Sequence, residues 1–326
     1  MKRHCCTNYY TFHGLEVAVL SDPRIAAPLH ARLRQFQTNG QAPFDLTFEF
    51  GCIPDSEPHW VETPPAWARP VYEPPVGEVV YVDGEDRLYI NYEERVRVLC
   101  DPVQGHTQIS ILQSQVEKLW LISHPMFTIP LIEILKRRRR FSLHAAGLCV
   151  NGRALLFPGT SGSGKSTLTI ALLRAGFGFL GDDMIFLTPE PEGLRVLAFP
   201  DEIDLTDETA AWFPELHDLL NRPKAPEWPK RQVWAEDLYG ADCVWECRPG
   251  VLVFPRVANT AKSVLLPMDR GEALLELAPN VLLTEARSSQ AHLDALAALV
   301  AESQCYRLEA GRDFDAMPTL LRALVE

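Results

Sequence analysis

Gly159-Thr160-Ser161-Gly162-Ser163-Gly164-Lys165-Ser166 constrains this chain more than any other stretch. It fits G-x-x-x-x-G-K-[ST], the P-loop pattern. Its three glycines let the backbone curl, so that successive N–H groups can face one anion. Lys165 adds a positive charge for the terminal phosphates, and the Ser166 hydroxyl is of the kind that holds Mg²⁺. Ala154-Leu155-Leu156-Phe157 before the loop reads as a buried strand, and Thr167 to Ala175 after it as a helix. Strand, loop and helix in that order aim a helix N-terminus at phosphate. ATP is therefore the expected ligand, bound by Gly159, Thr160, Ser161, Gly162, Ser163, Gly164, Lys165, Ser166 and Thr167, with Mg²⁺ beside it. A structural Gly-rich turn is the competing reading.

Several classes of function are disfavoured by composition. A chain of 326 residues suggests two domains. The net charge of −12 argues against a nucleic-acid or anionic-membrane partner. Eight cysteines are scattered, with Cys5-Cys6 and Cys243-x-x-x-Cys247 the only close pairs. Neither has zinc-finger spacing, so reduced thiols in a cytoplasmic protein are expected. Met1 to Cys6 leads into polar residues rather than the apolar core of a signal peptide. No apolar run has the length of a membrane span.

Read in order, residues 1–100 predict a small α/β domain and 101–326 a second, larger one. Strands are expected at His13–Leu20, Asp45–Phe50, Val79–Val82, Leu88–Tyr92 and Val96–Leu99, a helix at Ala26–Phe36, and a tight turn at Asp83-Gly84. His106–Leu112 follows as a strand. Val116–Arg139 reads as a helix broken near Pro125 and Pro130, ending in Lys136-Arg137-Arg138-Arg139-Arg140. That basic run is read as a solvated helix end favoured by the macrodipole, with a substrate-docking patch as the alternative. Residues 200–250, rich in Pro, Trp and Asp, predict an ordered excursion over the site. Further strands are expected at Gly250–Phe254, Ser263–Leu266 and Cys305–Leu308, and helices at Arg270–Leu277, His292–Ser303 and Phe314–Val325.

Chemistry enters on both sides of the P-loop. Phe141–Val150 and Arg153–Phe157 read as a hairpin around Asn151-Gly152, the strongest two-residue turn signal. That turn sets Val150 opposite Arg153 and Leu148 opposite Leu155. Counting on, His144 falls opposite Gly159, at the mouth of the loop. A strand His capped by a carbonyl is the bland alternative. Beyond the P-loop helix, a strand returns and ends at Asp182-Asp183. Its carboxyl end should lie beside the P-loop, where one acid can serve a metal and the other a proton.

His144, Gly159 to Ser166 and Asp182-Asp183 together resemble the catalytic core of HPr kinase/phosphorylase and its relatives, a fold also similar to phosphoenolpyruvate carboxykinase. The spacing matches from His144 to Asp183, and residues 141–326 resemble HPr-kinase-related proteins more loosely. The resemblance implies an α/β P-loop core with a mixed sheet, preceded by a small α/β N-terminal domain. It implies Asp183 as acceptor of the substrate hydroxyl proton, with His144 assisting and Lys165 and Ser166 handling phosphates and Mg²⁺. Asp182 joins the metal set, and Glu202 or Asp204 supplies its third acid. Arg256 corresponds to a late basic residue of the family's active site, a role for which Lys230 and Arg231 compete. The family's glycine-rich signature is not found after the acidic metal residue, where Asp201 to Asp207 reads differently. Pro255-Arg256-Val257-Ala258-Asn259 stands in place of its Pro-Gly-Arg-Asn segment. These departures bear on the phosphorylase half-reaction and on HPr itself as substrate.

The expected activity is therefore transfer of the γ-phosphoryl group of ATP to a hydroxyl, a serine of a peptide or protein partner, in a homo-oligomer. A small-molecule kinase on the same core, or a nucleotide-binding regulatory protein with little turnover, are the alternatives.

Overall fold

Alternation along the strands decides how this chain is layered. In Leu46–Ile53 the side chains of Leu46, Phe48 and Phe50 are fully buried while Thr47 and Glu49 are only half-buried. A strand of that kind covers one face and leaves the other partly open to water. In Ala154–Phe157, by contrast, every side chain is buried, as expected of a strand packed on both faces. These two patterns belong to two compact units of a computed structural model, one formed by Met1–Arg138 with Thr284–Ser289 and the other by Arg139–Leu283 with Gln290–Glu326. The structure describes residues 6–68, 70–72, 78–82, 84, 86–224, 228–258 and 260–325.

In the first unit, eight strands form one mixed sheet among the described residues. They are β1 (Cys6–Phe12), β2 (Leu15–Ser21), β3 (Leu46–Ile53), β4 (Pro70–Tyr72), β5 (Glu78–Val82), β6 (Arg87–Tyr92), β7 (Val96–Asp101) and β8 (His106–Leu112). Their order is β1-β2-β3-β8-β7-β6-β5-β4, parallel at β2-β3 and β3-β8 and antiparallel elsewhere. Three helices follow or interrupt them, α1 (Pro23–Arg32), α2 (Leu119–Ser123) and α3 (Pro125–Arg137). Phe127 of α3 packs against Phe48 at 4.7 Å between ring centres. The sequence puts a domain boundary near residue 100, but β7 and β8 pair along their length, and the unit runs on to Arg138. Part of the expected Asp83-Gly84 turn lies outside the described residues, as does Cys5. The remaining seven cysteines are free thiols.

The basic run is not a solvated helix end. Glu133 and Lys136 have no side-chain exposure at all, and Lys136 Nζ donates to Glu133 Oε1 at 2.8 Å. Thr284 donates to the same oxygen at 2.7 Å. Arg137 donates to Asp86 at 2.6 Å and to Glu133 Oε2 at 3.0 Å, and stands 3.3 Å from Glu285. Arg138 donates to the carbonyls of Pro102, Ile134 and Asp45. Burial would disfavour the Arg137 charge, but Asp86, Glu133 and Glu285 more than offset it and raise its pKa. The correction has a simple cause. The counter-charge Glu285 comes from a segment about 150 positions along the chain, beyond any local reading.

The second unit holds β9 (Phe141–Leu143), β10 (Ala145–Val150), β11 (Arg153–Pro158), α4 (Lys165–Arg174), β12 (Gly178–Gly181), β13 (Ile185–Glu190) and β14 (Gly193–Leu197). The 200–250 excursion contains β15 (Ile203–Leu205), α5 (Asp207–Trp212), α6 (His217–Leu220), β16 (Arg231–Val233) and α7 (Ala235–Tyr239). The chain ends with β17 (Glu246–Val257), β18 (Val264–Pro267), α8 (Arg270–Leu277), α9 (Ala286–Ala301), β19 (Gln304–Ala310) and α10 (Met317–Arg322). The main sheet runs β12-β10-β11-β17-β14-β13-β9, with β19 also on β17 and β18 on β19. It is mixed, since β11 and β19 lie parallel to β17 and β14 antiparallel. Leu148, Leu155, Phe157 and Val253 pack with Leu168 and Leu172 of α4 on one face. Ala154, Leu156, Leu252 and Phe254 pack with Leu277 of α8 and Leu299 of α9 on the other.

Because Glu133 and Lys136 are fully enclosed, their balance is testable. Glu133→Gln should destabilise the protein by about 3–5 kcal/mol, since it strands the Lys136 ammonium. Adding Lys136→Met should recover part of that loss, because an apolar replacement of the pair is close to neutral. Urea unfolding midpoints of the two variants check both expectations.

Candidate functional site

The Asn151-Gly152 turn sets the hairpin register. Val150 pairs with Arg153, Leu148 with Leu155 and Ala145 with Pro158. Both turn residues have positive φ, +53° and +72°, as a type I′ turn demands. The strand expected over Phe141–Val150 is interrupted at His144. Phe141–Leu143 pairs with β13, whereas Ala145–Val150 pairs with β11 and β12. His144 sits at that break. Its own N–H donates to the Asn280 carbonyl at 2.8 Å, and its Nδ1 lies 2.8 Å from the Asp183 carbonyl oxygen.

The glycine-rich stretch runs from the end of β11 to the start of α4. Gly159, Gly162 and Gly164 have φ of +154°, +85° and +99°, a region that L side chains rarely adopt. At Gly159 a Cβ would also stand 2.9 Å from Ser163 Oγ. Thr160, Ser161 and Gly162 are exposed, and Ser163, Ser166 and Thr167 half-buried. Lys165 is buried, 6% exposed, and curls over the loop. Its ammonium donates to the carbonyls of Gly159 at 2.6 Å and Thr160 at 3.1 Å, and faces His144 Nε2 at 3.4 Å. With the Nδ1 proton directed at the Asp183 carbonyl, Nε2 is the free lone pair that accepts from Lys165. Burial lowers the Lys165 pKa, as does the Lys230 charge, against the pull of Asp183 and Asp182. Burial likewise lowers that of His144, Asp183 opposing it and Lys165 adding to it.

Asp182 and Asp183 part company. Gly181 before them admits no side chain, since a Cβ would meet the carbonyls of Met184 and Phe199 at 2.5 and 2.8 Å. That close approach lets the strand end tuck in, and at the bend that follows the two carboxylates differ in burial. Asp182 is buried. Ser166 donates to its Oδ2 at 2.8 Å, and Thr169 Oγ1 lies 2.8 Å from its Oδ1. Asp183 stays 57% exposed in its side chain, with Oδ1 3.9 Å from His144 Nδ1. Burial, with the negative charges of Asp183 and Asp204 added, pushes the Asp182 carboxyl up to about 7, while Thr169 and Ser166 draw it down.

The excursion brings Asp204 to this group. In β15, Ile203 and Leu205 point into the core, which turns Asp204 the other way. Trp228 Nε1 donates to Asp204 Oδ1 at 2.9 Å, and Lys230 Nζ stands 4.0 Å from Oδ2. Burial raises Asp204 to about 6. Glu202 has its N–H on the Asp201 carboxylate at 2.9 Å. Of the two acids left open by the sequence, Asp204 is the one whose charge acts on Asp182. Arg231 is spent on structure: it donates to Asp207 and to the carbonyls of Leu219, Leu220 and Arg222. Thr167 and Thr209 share a 3.0 Å hydrogen bond that ties the excursion to α4. On the other side of the loop, a cleft of about 510 Å³ is lined by Thr160, Gly162, Arg256, Leu275, Pro279 and Asn280, among others. Arg256 is 59% exposed in its side chain and donates to Glu276 at 2.9 Å. Trp228 carries no motif; Asp204 and Lys230 entered only through the resemblance, as alternatives to Glu202 and Arg256, and the alternation Ile203-Asp204-Leu205 is the local sign of the first.

The donor set suits a hard divalent cation. Ser166 Oγ and Asp182 Oδ2 are oxygens in contact, and the enclosed carboxylate lacks a cation at hydrogen-bonding distance among the described residues. These features define an α/β protein with a mixed sheet and a glycine-rich strand–loop–helix. No family model and no curated protein matches the sequence. Among solved structures, the Hpr(Ser) kinase/phosphatase from Coxiella burnetii is similar at 18% identity and a TM-score of 0.31, over 56% of this chain and 93% of that one. No helix among the described residues is long and apolar enough to cross a membrane.

The shift at Asp182 fixes the sign of a pH effect. An acid whose pKa rises on folding favours the folded state most when protonated. That contribution is full below about 4, the ordinary value being 3.8, falls as pH climbs, and is gone above about 7. Asp182→Asn removes the titration. In chelator, the variant should therefore gain on the wild type between pH 5 and pH 8 in urea midpoint. A difference that does not change with pH would contradict the assignment.

Proposed function

We propose that this chain is an ATP- and Mg²⁺-dependent kinase that transfers the γ-phosphoryl group to a hydroxyl, a serine of a peptide or protein. The observation that carries this reading is the convergence of Lys165, Ser166, His144, Asp182 and Asp183 at one end of the sheet, within a net of hydrogen bonds. The loop amides and Lys165 bind the phosphates of the nucleotide. Ser166, Asp182 and Asp204 are the oxygen donors for Mg²⁺, with Glu202 the other acid at hand. Mg²⁺ supplies charge neutralisation of the phosphates when bound.

Asp183 is the base in this scheme. Its carboxylate is exposed, so an acceptor hydroxyl can reach it; Oδ takes the hydroxyl proton as the oxygen attacks the γ-phosphorus and the bond from that phosphorus to the β–γ bridging oxygen breaks, so that ADP leaves. His144 orients it. Its Nδ1–H holds the Asp183 carbonyl, and its Nε2 holds Lys165, so one imidazole fixes base and cation relative to each other. Arg256, across the cleft, is the candidate contact for the nucleotide's outer part.

Asp183→Asn keeps the size of the side chain and removes the base. Nucleotide binding should stay within a factor of about 2, while transfer of label from γ-labelled ATP to acceptors in a lysate should fall by roughly 10²–10⁴-fold. Asp182→Asn should instead be partly rescued by raised Mg²⁺. If the label enters only the fraction that passes a small-pore filter, the acceptor is a small molecule. Binding of ATP with no ADP formed under any acceptor would identify a regulatory protein. Rescue of Asp183→Asn and not Asp182→Asn by Mg²⁺ would reverse the two roles.

A further inference from the structure

Arg256, Lys230 and Arg231 are the basic residues that compete for a place at the terminal phosphate, and their surroundings separate them. Arg231 has its guanidinium on Asp207 and three backbone carbonyls. Lys224 donates to Asp207 at 2.9 Å. Arg256 is paired with Glu276, which also accepts from Arg307 at 2.7 Å. Lys230 differs. Its ammonium stands 4.0 Å from Asp204 Oδ2, beyond hydrogen-bond reach, and 5.6 Å from the centre of the Trp228 ring. It is therefore aimed by a carboxylate and an aromatic face, and among the described residues its ammonium makes no hydrogen bond.

Its position is set by the fold of the excursion. β15 and β16 pair antiparallel with Asp204 opposite Gln232 and Leu205 opposite Arg231. Lys230 is the next residue out, at the mouth of the pair. Asp204 holds Trp228 through one oxygen and faces Lys230 with the other. The excursion that carries it is tied to the start of α4 by the 3.0 Å hydrogen bond between Thr167 and Thr209, and the Lys230 charge lowers the pKa of both His144 and Lys165. Two cations brought together this way repel, and an anion between them relieves the repulsion.

We propose that Lys230 is a second cation of the phosphoryl site, carried in by the excursion and contacting the terminal phosphate of the bound nucleoside triphosphate. Its role is to distinguish triphosphate from diphosphate. This rests on the kinase reading above, and adds to it a residue outside the P-loop pattern. Arg256, committed to Glu276, does not share the task.

The test compares affinities for Mg·ADP and for the Mg²⁺ complex of an ATP analogue with a non-hydrolysable β–γ bridge, by calorimetry on the full chain. Lys230→Ala should weaken the triphosphate about 10–100-fold, the value of a hydrogen bond to a charged group, and leave the diphosphate within about 2-fold. Lys230→Arg should restore most of the discrimination, and Arg256→Ala should weaken triphosphate and diphosphate alike, leaving their ratio as it was. Tryptophan emission gives a second readout, since the triphosphate should change it in the wild type and much less in Trp228→Phe. An unchanged triphosphate-to-diphosphate ratio in a folded Lys230→Ala overturns the proposal while leaving the kinase reading intact. A wild type that binds neither nucleotide overturns both, and loss of discrimination in Arg256→Ala assigns the contact to Arg256 instead.

Discussion

Everything at the candidate site depends on one enclosed carboxylate. Asp182 joins the end of β12 to the first turns of α4 through Ser166 and Thr169. A buried carboxylate with only hydroxyl partners is costly, and its raised pKa expresses that cost. Yet it fixes the geometry around it. At the bend just past β12 Asp182 is enclosed and Asp183 exposed, and the Asp183 carbonyl meets His144. His144 in turn meets Lys165, which closes the ring back onto the loop.

The excursion adds electrostatics that the glycine-rich loop and its neighbouring acids lack alone. Asp204 lies in a small two-stranded pair, and Trp228 and Lys230 just before its second strand; Ile203, Leu205 and Val233 of the pair are anchored in the core. Arg231 next to Lys230 is the anchor, holding Asp207 and the end of α6. Adjacent residues of equal charge thus serve different ends, Arg231 as a clamp and Lys230 facing Asp204 and the Trp228 ring.

How much of this could be read from sequence depends on the range of each interaction. The hairpin register followed from two turn residues because type I′ geometry is local. The two-faced burial of Ala154–Phe157 followed from an unbroken apolar run; the different burial of Asp182 and Asp183 arises at a bend just past β12, not on extended backbone. The break at His144 did not, because no Gly or Pro marks it; β13 captures Phe141–Leu143 through pairing from far along the chain. β1 was missed since its Cys-Thr-Asn-Tyr-Tyr run lacks clean alternation. The basic run misled for the same reason as the β9 break: Asp86, Thr284 and Glu285 are distant partners. The helix expected at His292–Ser303 begins six residues earlier at Ala286, with Glu285 receiving the first N–H groups.

The segment Thr284–Ser289 has a topological consequence. The chain passes between its two compact units three times, after Arg138, after Leu283 and after Ser289. No single cut therefore separates them. A fragment ending at Arg138 would lose Glu285 and Thr284, and leave Arg137 and Glu133 short of partners. A fragment starting at Arg139 would carry those same two residues with nothing to meet. The two halves cannot be exchanged between genes by one recombination event, so this pair of units must be inherited, duplicated or lost as a whole.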